Sequence, residues 1–350
     1  MSLSIGPIDV AVVGVGRMGR HHARIYHELA GARLVAVVDP DLERAQIIAD
    51  EFGCDACADV GQLTQRHPDL RATSVAVPTA LHRAAATPLL CRRTACLVEK
   101  PLAGCAADAA ALVAMASEHG AILQVGHTER FNPAVRAIKA MDMTPRFLEV
   151  DRVSPMTFRS LDVGVVMDMM IHDLDIVLML ARSKLARVDA AGIAVLGEHE
   201  DVANARLVFE NGCVANLTSS RLALKTQRKL RFFSEEAYVS LDYQKRNGVV
   251  IHKSGNAPAL EQVRRQLATG ADLSDLDYRD LVQVKELTME LPDGGDDPLT
   301  MQLSSFIEAV RTGQRPEVDG AAGHAAVDAA QRVLASLAAH EWEGIASPIV

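Results

Sequence analysis

No stretch of this 350-residue chain approaches the roughly 18 consecutive apolar residues that a membrane-spanning helix requires. Basic residues do not dominate: 36 Lys and Arg stand against 45 Asp and Glu, a net charge of −9. That balance argues against nucleic acid as the main partner, because phosphate backbones call for a basic face. A minority patch still suits a phosphorylated or nucleotide substrate. The six cysteines are scattered, so no disulfide framework is expected and a reducing compartment fits. Cys54-Asp55-Ala56-Cys57 spells C-x-x-C, but it has no second pair to complete a zinc site and follows a helix, unlike a thioredoxin motif. Two ordinary thiols in a turn are expected there. No signal-peptide pattern precedes the first strand, and a cytoplasmic protein is expected. Neither an internal repeat nor a low-complexity tract is present beyond alanine richness. What remains is an ordinary globular composition, 49% hydrophobic and 23% charged, in a length that suggests two domains.

The chain is organised around Val10-Ala11-Val12-Val13-Gly14-Val15-Gly16-Arg17-Met18-Gly19. Four apolar residues read as a buried strand, and Gly14, Gly16 and Gly19 fit G-x-G-x-x-G. In that pattern the first glycine permits a tight turn, the second lets backbone approach a pyrophosphate, and the third lets helix pack on strand. A helix from about Arg20 to Ala30, with Gly31 as its stop, aims its N-terminal N–H groups at phosphate. A second strand, Arg33–Val38, ends at Asp39, where a carboxylate accepts from adenosine ribose hydroxyls and repels a 2′-phosphate. NAD is therefore expected rather than NADP.

Strands and helices alternate as far as Gly126: strands Ser74–Val77, Ala95–Val98 and Ile122–Val125, with helices near 41–52, 59–66, 82–92 and 105–119. This implies a doubly wound parallel sheet over residues 1–126. From 127 to 350 the texture changes. Arg146–Val153 alternates as a strand, Gly164–Ala181 reads as one long helix, and seven further strands run from Val188 to Met289. Asn211-Gly212 and Asn247-Gly248 are expected hairpin turns, and 253–280 reads as a loop or a helical insert of poor definition. The second domain is then an α/β domain with a large open, mostly antiparallel sheet. One face of such a sheet needs cover, which a homo-oligomeric partner commonly provides. Helices near 299–311 and 321–339 close the chain and are candidates to pack back on the first domain.

Two stretches carry candidate chemistry. Glu99-Lys100-Pro101 ends a strand at the edge where doubly wound sheets bind ligands. A lysine there can donate to a substrate hydroxyl and stabilise a developing alkoxide; it can equally be a solvated loop lysine. The second is Asp168-Met169-Met170-Ile171-His172-Asp173-Leu174-Asp175. Asp168 and His172, four apart, share a helical face inside an apolar helix, and a histidine beside a carboxylate suits a general base. A hydrogen-bonded core cluster and, more rarely, a metal site are the alternatives.

The combination resembles the glucose–fructose oxidoreductase, inositol dehydrogenase and rhizopine-catabolism (Gfo/Idh/MocA) family. The matching pieces are Gly14–Gly19, Asp39, Pro78-Thr79 with His82, Glu99-Lys100-Pro101, and Asp168 with His172, in family order. The resemblance implies a Rossmann domain and a C-terminal α/β domain whose open sheet mediates oligomerisation as a homodimer or homotetramer. It implies Lys100 on the reacting hydroxyl, His172 as acid/base, Asp168 beside them and Glu99 on the nicotinamide ribose. Gly14, Gly16, Arg17, Met18, Gly19, Asp39, Pro78, Thr79 and His82 complete the cofactor site, and Lys100–Pro101 is a candidate cis peptide. Gly126-His127-Thr128-Glu129-Arg130-Phe131-Asn132-Pro133 looks like the G-H-x-E-R-F-N-P stretch of the family's UDP-N-acetylglucosamine 3-dehydrogenase branch. In this reading Glu129 accepts from sugar hydroxyls or an acetamido N–H, while Arg130 serves either phosphate or a structural carboxylate. A free-sugar or inositol dehydrogenase with the same machinery, and a non-catalytic dinucleotide sensor, are the competing readings. No metal is expected.

Overall fold

Short runs rich in valine, alanine and other apolar residues form the strands of the first sheet. In the computed structural model, which describes residues 6–157, 163–274, 276–277, 282–289 and 297–342, these are β1 (Ile8–Val13), β2 (Ala32–Val38), β3 (Asp55–Cys57), β4 (Ala72–Val75), β5 (Ala95–Glu99) and β6 (Leu123–Gly126). They pair in parallel, in the order β3-β2-β1-β4-β5-β6. This is the doubly wound order that brings ligands to the carboxyl ends of the strands where the order reverses.

The connecting helices start and stop for identifiable reasons. The Asp41 side chain accepts from the Arg44 N–H and caps Leu42–Phe52; Asp59 does the same for Val60–Arg66 through the Gln62 N–H. Gly53 and Gly120 end helices in the left-handed conformation. Gly31 does not. The helix Arg17–Glu28 already ends at Leu29 in extended backbone, and the space a side chain at Gly31 would need holds the Arg311 guanidinium, which donates to the Gly31 carbonyl at 3.1 Å. The three-residue strand β3 has no counterpart in the sequence reading. It is too short to show a period and borrows its order from β2.

The chain divides into two units, Met1–Phe131 with Gly294–Gln331, and Asn132–Asp293 with Arg332–Val350. In the first, the helix Pro298–Thr312 supplies Leu303, Phe306 and Ile307 to the same core as Ile8, Val10, Val12, Tyr26 and Leu97.

The second unit carries β7 (Phe147–Val153), β8 (Leu185–Ile193), β9 (Val202–Phe209), β10 (Val214–Ser220), β11 (Gln227–Phe233), β12 (Ala237–Asp242), β13 (Asn247–His252) and β14 (Lys285–Thr288). Their order is β14-β13-β12-β11-β7-β10-β9-β8. Every neighbouring pair is antiparallel except β7 and β10. Alternate residues of β7 and β10 are buried, as one covered face requires. Asn211-Gly212 is the turn between β9 and β10, with Gly212 at φ +82°. Asn247-Gly248 is not a turn. The chain reverses at 243–246, where Arg246 takes the positive φ, and Gly248 lies within β13 because a Cβ there would meet the Ser240 carbonyl at 2.6 Å. Lys253–Ala268 is a helix with Pro258 inside it, the helical one of the two readings open for 253–280. Among the described residues no helix is long and apolar enough to cross a membrane.

Candidate active site

In the first unit, Gly14 adopts φ +85°, and a Cβ on it would sit 2.8 Å from Val77. A Cβ on Gly19 would strike the Gly14 carbonyl. Gly16 differs: nothing lies within 4 Å of the position its Cβ would take. It opens the helix Arg17–Glu28, whose first turn has no side-chain cap, so the N–H groups there keep donors for an anion. Arg17 and Met18 are exposed and Gly19 is buried. Asp39 is 5% exposed at the end of β2. One carboxylate oxygen accepts from the Val15 N–H at 3.0 Å and the other from the Asp41 N–H at 3.0 Å. The acid thus braces the glycine loop as well as presenting an acceptor. An open cradle at Gly16, uncapped donors and an acidic strand end fit a dinucleotide.

The ends of β4 and β5 form a second group. Pro78 is exposed and Thr79 half-buried. His82, 1% exposed, has Nδ1 2.9 Å from the Pro101 carbonyl and Nε2 3.0 Å from the Val77 carbonyl. Both ring nitrogens face backbone carbonyls, and the one that carries the proton donates, so His82 links the loop after β4 to the loop after β5. Burial holds its pKa below the ordinary value, against the pull of those carbonyls. Lys100–Pro101 is cis. Lys100 is half-buried, whereas Glu99 is 8% exposed. Burial pushes the Glu99 pKa up, but the neighbouring His22 and the Lys100 N–H outweigh it, and the carboxyl stays below its usual range. Glu99 Oε1 lies 3.2 Å from His22 Nε2, and the Lys100 N–H donates to Oε2 at 3.3 Å. After β6 a single 3-10 turn, Thr128–Phe131, presents a half-buried Glu129 and a buried Arg130. Thr128 donates to the fully buried Gln302 side chain at 2.8 Å.

In the second unit the expected helix over 164–181 is interrupted. Val166–Met170 is a π-turn, and the α-helix proper is Ile171–Ala181. Asp168 lies in the π-turn and His172 in the first α-turn, both half-buried. A wider turn of this kind is frequent at functional sites. Its start is held by Glu200, 2% exposed, which accepts from the Val166 N–H at 3.0 Å through its carboxylate and from the Val165 N–H at 3.0 Å through its carbonyl. Gly164 is required there because a Cβ would overlap the Glu200 carboxylate. Next in sequence, buried Asp201 accepts from the Val195, Leu196 and Gly197 N–H groups and pairs with Arg221. Burial pushes its pKa up, but those amides and the guanidinium bring it down to about 2. Asp175 is buried in the same helix, as is Asp173, which pairs with Arg152.

The glycine cradle and the strand-end lysine lead to known proteins. Residues 8–127 match the family described as "Oxidoreductase family, NAD-binding Rossmann fold", and residues 135–240 match the GFO/IDH/MocA C-terminal domain. A UDP-N-acetylglucosamine 3-dehydrogenase of Acidithiobacillus ferrooxidans is 32% identical over 330 residues, 94% of this chain and 96% of that protein. This chain belongs to the Gfo/Idh/MocA oxidoreductase family. It is an NAD-binding oxidoreductase with the Rossmann unit and mixed α/β second unit of that family. A solved structure of the Acidithiobacillus enzyme superposes with a TM-score of 0.82, covering 96% of this chain and 99% of that one at 30% identity. An inositol 2-dehydrogenase of Rhizobium meliloti is 25% identical, covering 95% of this chain and 97% of the relative.

Sequence reasoning missed His22, Arg152, Glu200, Asp201, Arg221 and Gln302. A signal existed for Arg152, which follows Leu148 and Val150 on the inward face of an alternating strand. For His22 it was the helical stripe shared with Gly19, Ala23 and Tyr26. Nothing local marks Glu200 or Gln302, because their partners are distant in sequence.

Proposed function

We propose that this chain is an NAD-dependent dehydrogenase that oxidises the C3 hydroxyl of UDP-N-acetylglucosamine to the 3-keto nucleotide sugar. The observation that carries the substrate is the whole-length similarity to an enzyme of that name. Lys100 donates to the reacting hydroxyl, and its charge stabilises the alkoxide as it develops. His172 takes the hydroxyl proton as general base, and Asp168 beside it in the π-turn steadies the imidazolium that results. NAD, when bound, supplies the hydride acceptor. The N–H groups of Arg17, Met18 and Gly19, at the uncapped start of their helix, would hold its diphosphate. Asp39 accepts from the adenosine ribose and disfavours a 2′-phosphate, Pro78 and Thr79 flank the nicotinamide, and Glu99 takes the nicotinamide ribose. Glu129 accepts from the sugar, while Arg130, being buried, braces the segment. The protein works in the cytoplasm as a homodimer or homotetramer assembled through the outer face of its second sheet.

The test is NADH formation from NAD and UDP-N-acetylglucosamine, with a glutamate-dependent aminotransferase present to drain the ketone. Turnover that disappears in His172→Ala and in Lys100→Ala, with NAD binding kept, supports the reading. A wild-type rate in either variant overturns the role given to that residue. The similarity to an inositol 2-dehydrogenase keeps a free-sugar or inositol substrate as the second reading. Inhibition by UDP is expected of the first and not of the second. Bound NAD that never turns over with any sugar would instead favour a sensor.

A further inference from the structure

We propose that His22 is a positioning residue for the nicotinamide half of the cofactor site, holding the Glu99 carboxylate, and through it the Lys100 turn, from the helix that begins at the glycine loop. The inference rests on the Glu99 role given above. His22 is 0% exposed, and an imidazole enclosed by apolar strands is costly unless something polar faces it. What faces it is a carboxylate. Nε2 lies 3.2 Å from Glu99 Oε1. The contact is an ion-pair approach without hydrogen-bond alignment: among the described residues neither ring nitrogen of His22 nor Glu99 Oε1 has an aligned hydrogen-bond partner. Nearby Tyr26 does not compete, since its hydroxyl is spent on Ser74 at 2.8 Å.

Glu99 is therefore fixed from three sides. His22 Nε2 faces Oε1 at 3.2 Å, the Lys100 N–H donates to Oε2, and the carboxylate fills the space a side chain at Gly126 would occupy, 2.7 Å from the position of its Cβ. Remove the imidazole and Glu99 becomes a buried anion short of one partner, which either takes up a proton or swings away. Both outcomes cost the acceptor for the nicotinamide ribose. Neither disturbs the Gly14–Gly19 loop or Asp39. The defect is thus specific to one end of the dinucleotide.

The experiment measures NAD and ADP affinities by calorimetry, without sugar, on wild type, His22→Leu, His22→Gln and Glu99→Gln. ADP carries the adenosine and diphosphate but neither nicotinamide nor its ribose. For His22→Leu and for Glu99→Gln, NAD affinity is expected to fall about tenfold while ADP affinity stays within about twofold. His22→Gln, which keeps an amide donor at similar reach, regains most of the loss. Equal weakening of NAD and ADP in His22→Leu overturns the proposal, since His22 would then only pack the phosphate-binding helix. So does unchanged NAD affinity, or a defect that glutamine does not relieve. Should His22→Leu fail to fold, the Glu99→Gln and His22→Gln affinities decide: an NAD-specific loss in the first and near-native NAD binding in the second support it, and any other pattern overturns it. Because no sugar is present, the outcome is independent of whether UDP-N-acetylglucosamine is the substrate.

Discussion

Arg152 and Asp173 meet as a buried two-point pair, Nε to Oδ2 at 2.7 Å and Nη2 to Oδ1 at 2.8 Å, with side chains only 4% and 2% exposed. The strand β7 is thereby locked to the helix that carries His172, one residue away. Removing one partner takes a two-point contact from the other, buried charge. Asp173→Ala is expected to lower unfolding stability by about 3–5 kcal/mol, read by urea denaturation. The double variant Arg152→Met with Asp173→Leu should recover most of it. A single variant of native stability would show that the pair carries no net energy.

The glycine loop offers a clean contrast. Gly19→Ala places a Cβ on the Gly14 carbonyl and should cost at least about 1–3 kcal/mol of stability, as overpacking does. Gly16→Ala places its Cβ in open space, so melting without ligand should match wild type while NAD affinity falls about tenfold. Calorimetry and thermal melting on the same two samples decide it.

At Gly126 the crowding acts on function. A Cβ there lies 2.7 Å from Glu99 Oε1 and 3.0 Å from the Glu99 Cα, so Gly126→Ala must shift the carboxylate. NAD binding should weaken and ADP binding should not. Identical ratios for both ligands would mean that the strand, not the carboxylate, gives way.

Acid sensitivity should be concentrated at Asp201. Its pKa in the fold is about 2, below the usual 3.8. A depressed carboxylate contributes stability that is present above its unfolded value and is lost as pH falls through the folded one. Stability should therefore fall between about pH 4 and 2, and Asp201→Asn should flatten that part of the curve while lowering stability at neutral pH. Glu99, also depressed, adds in the same direction below its ordinary value. A pH–stability curve of Asp201→Asn parallel to wild type would contradict this.

The parallel sheet is readable because its strands are mostly apolar runs punctuated by Gly14, Asp39 and Gly120, each of which has a local physical meaning. The second sheet is readable from alternation, strand by strand. The π-turn at Val166–Met170 was not: an apolar helix looks the same in sequence whether its bonds run to the fourth or the fifth residue, and the wider turn is imposed by Glu200, over thirty positions away. The reversal before β13 was misplaced because Asn247-Gly248 is favourable for a turn, yet its glycine is needed for close approach to Ser240. The motif places His82 at the cofactor end of the sheet, but it does not reveal that its two nitrogens face the Val77 and Pro101 carbonyls. The buried acids and arginines of the second unit owe their places to pairings that no local window contains.

One consequence concerns how the molecule comes into being. Leu303, Phe306 and Ile307 sit in the same core as the first strand. The nucleotide-binding unit therefore leaves the ribosome in two instalments, its strands well before the helix that completes their core. While the intervening residues are translated, the apolar side meant for Phe306 remains uncovered, the kind of exposed surface that invites aggregation or a chaperone. Expression of residues 1–131 alone should yield insoluble material, whereas a permuted chain that begins with 297–331 and continues into β1 should bring that unit to completion early.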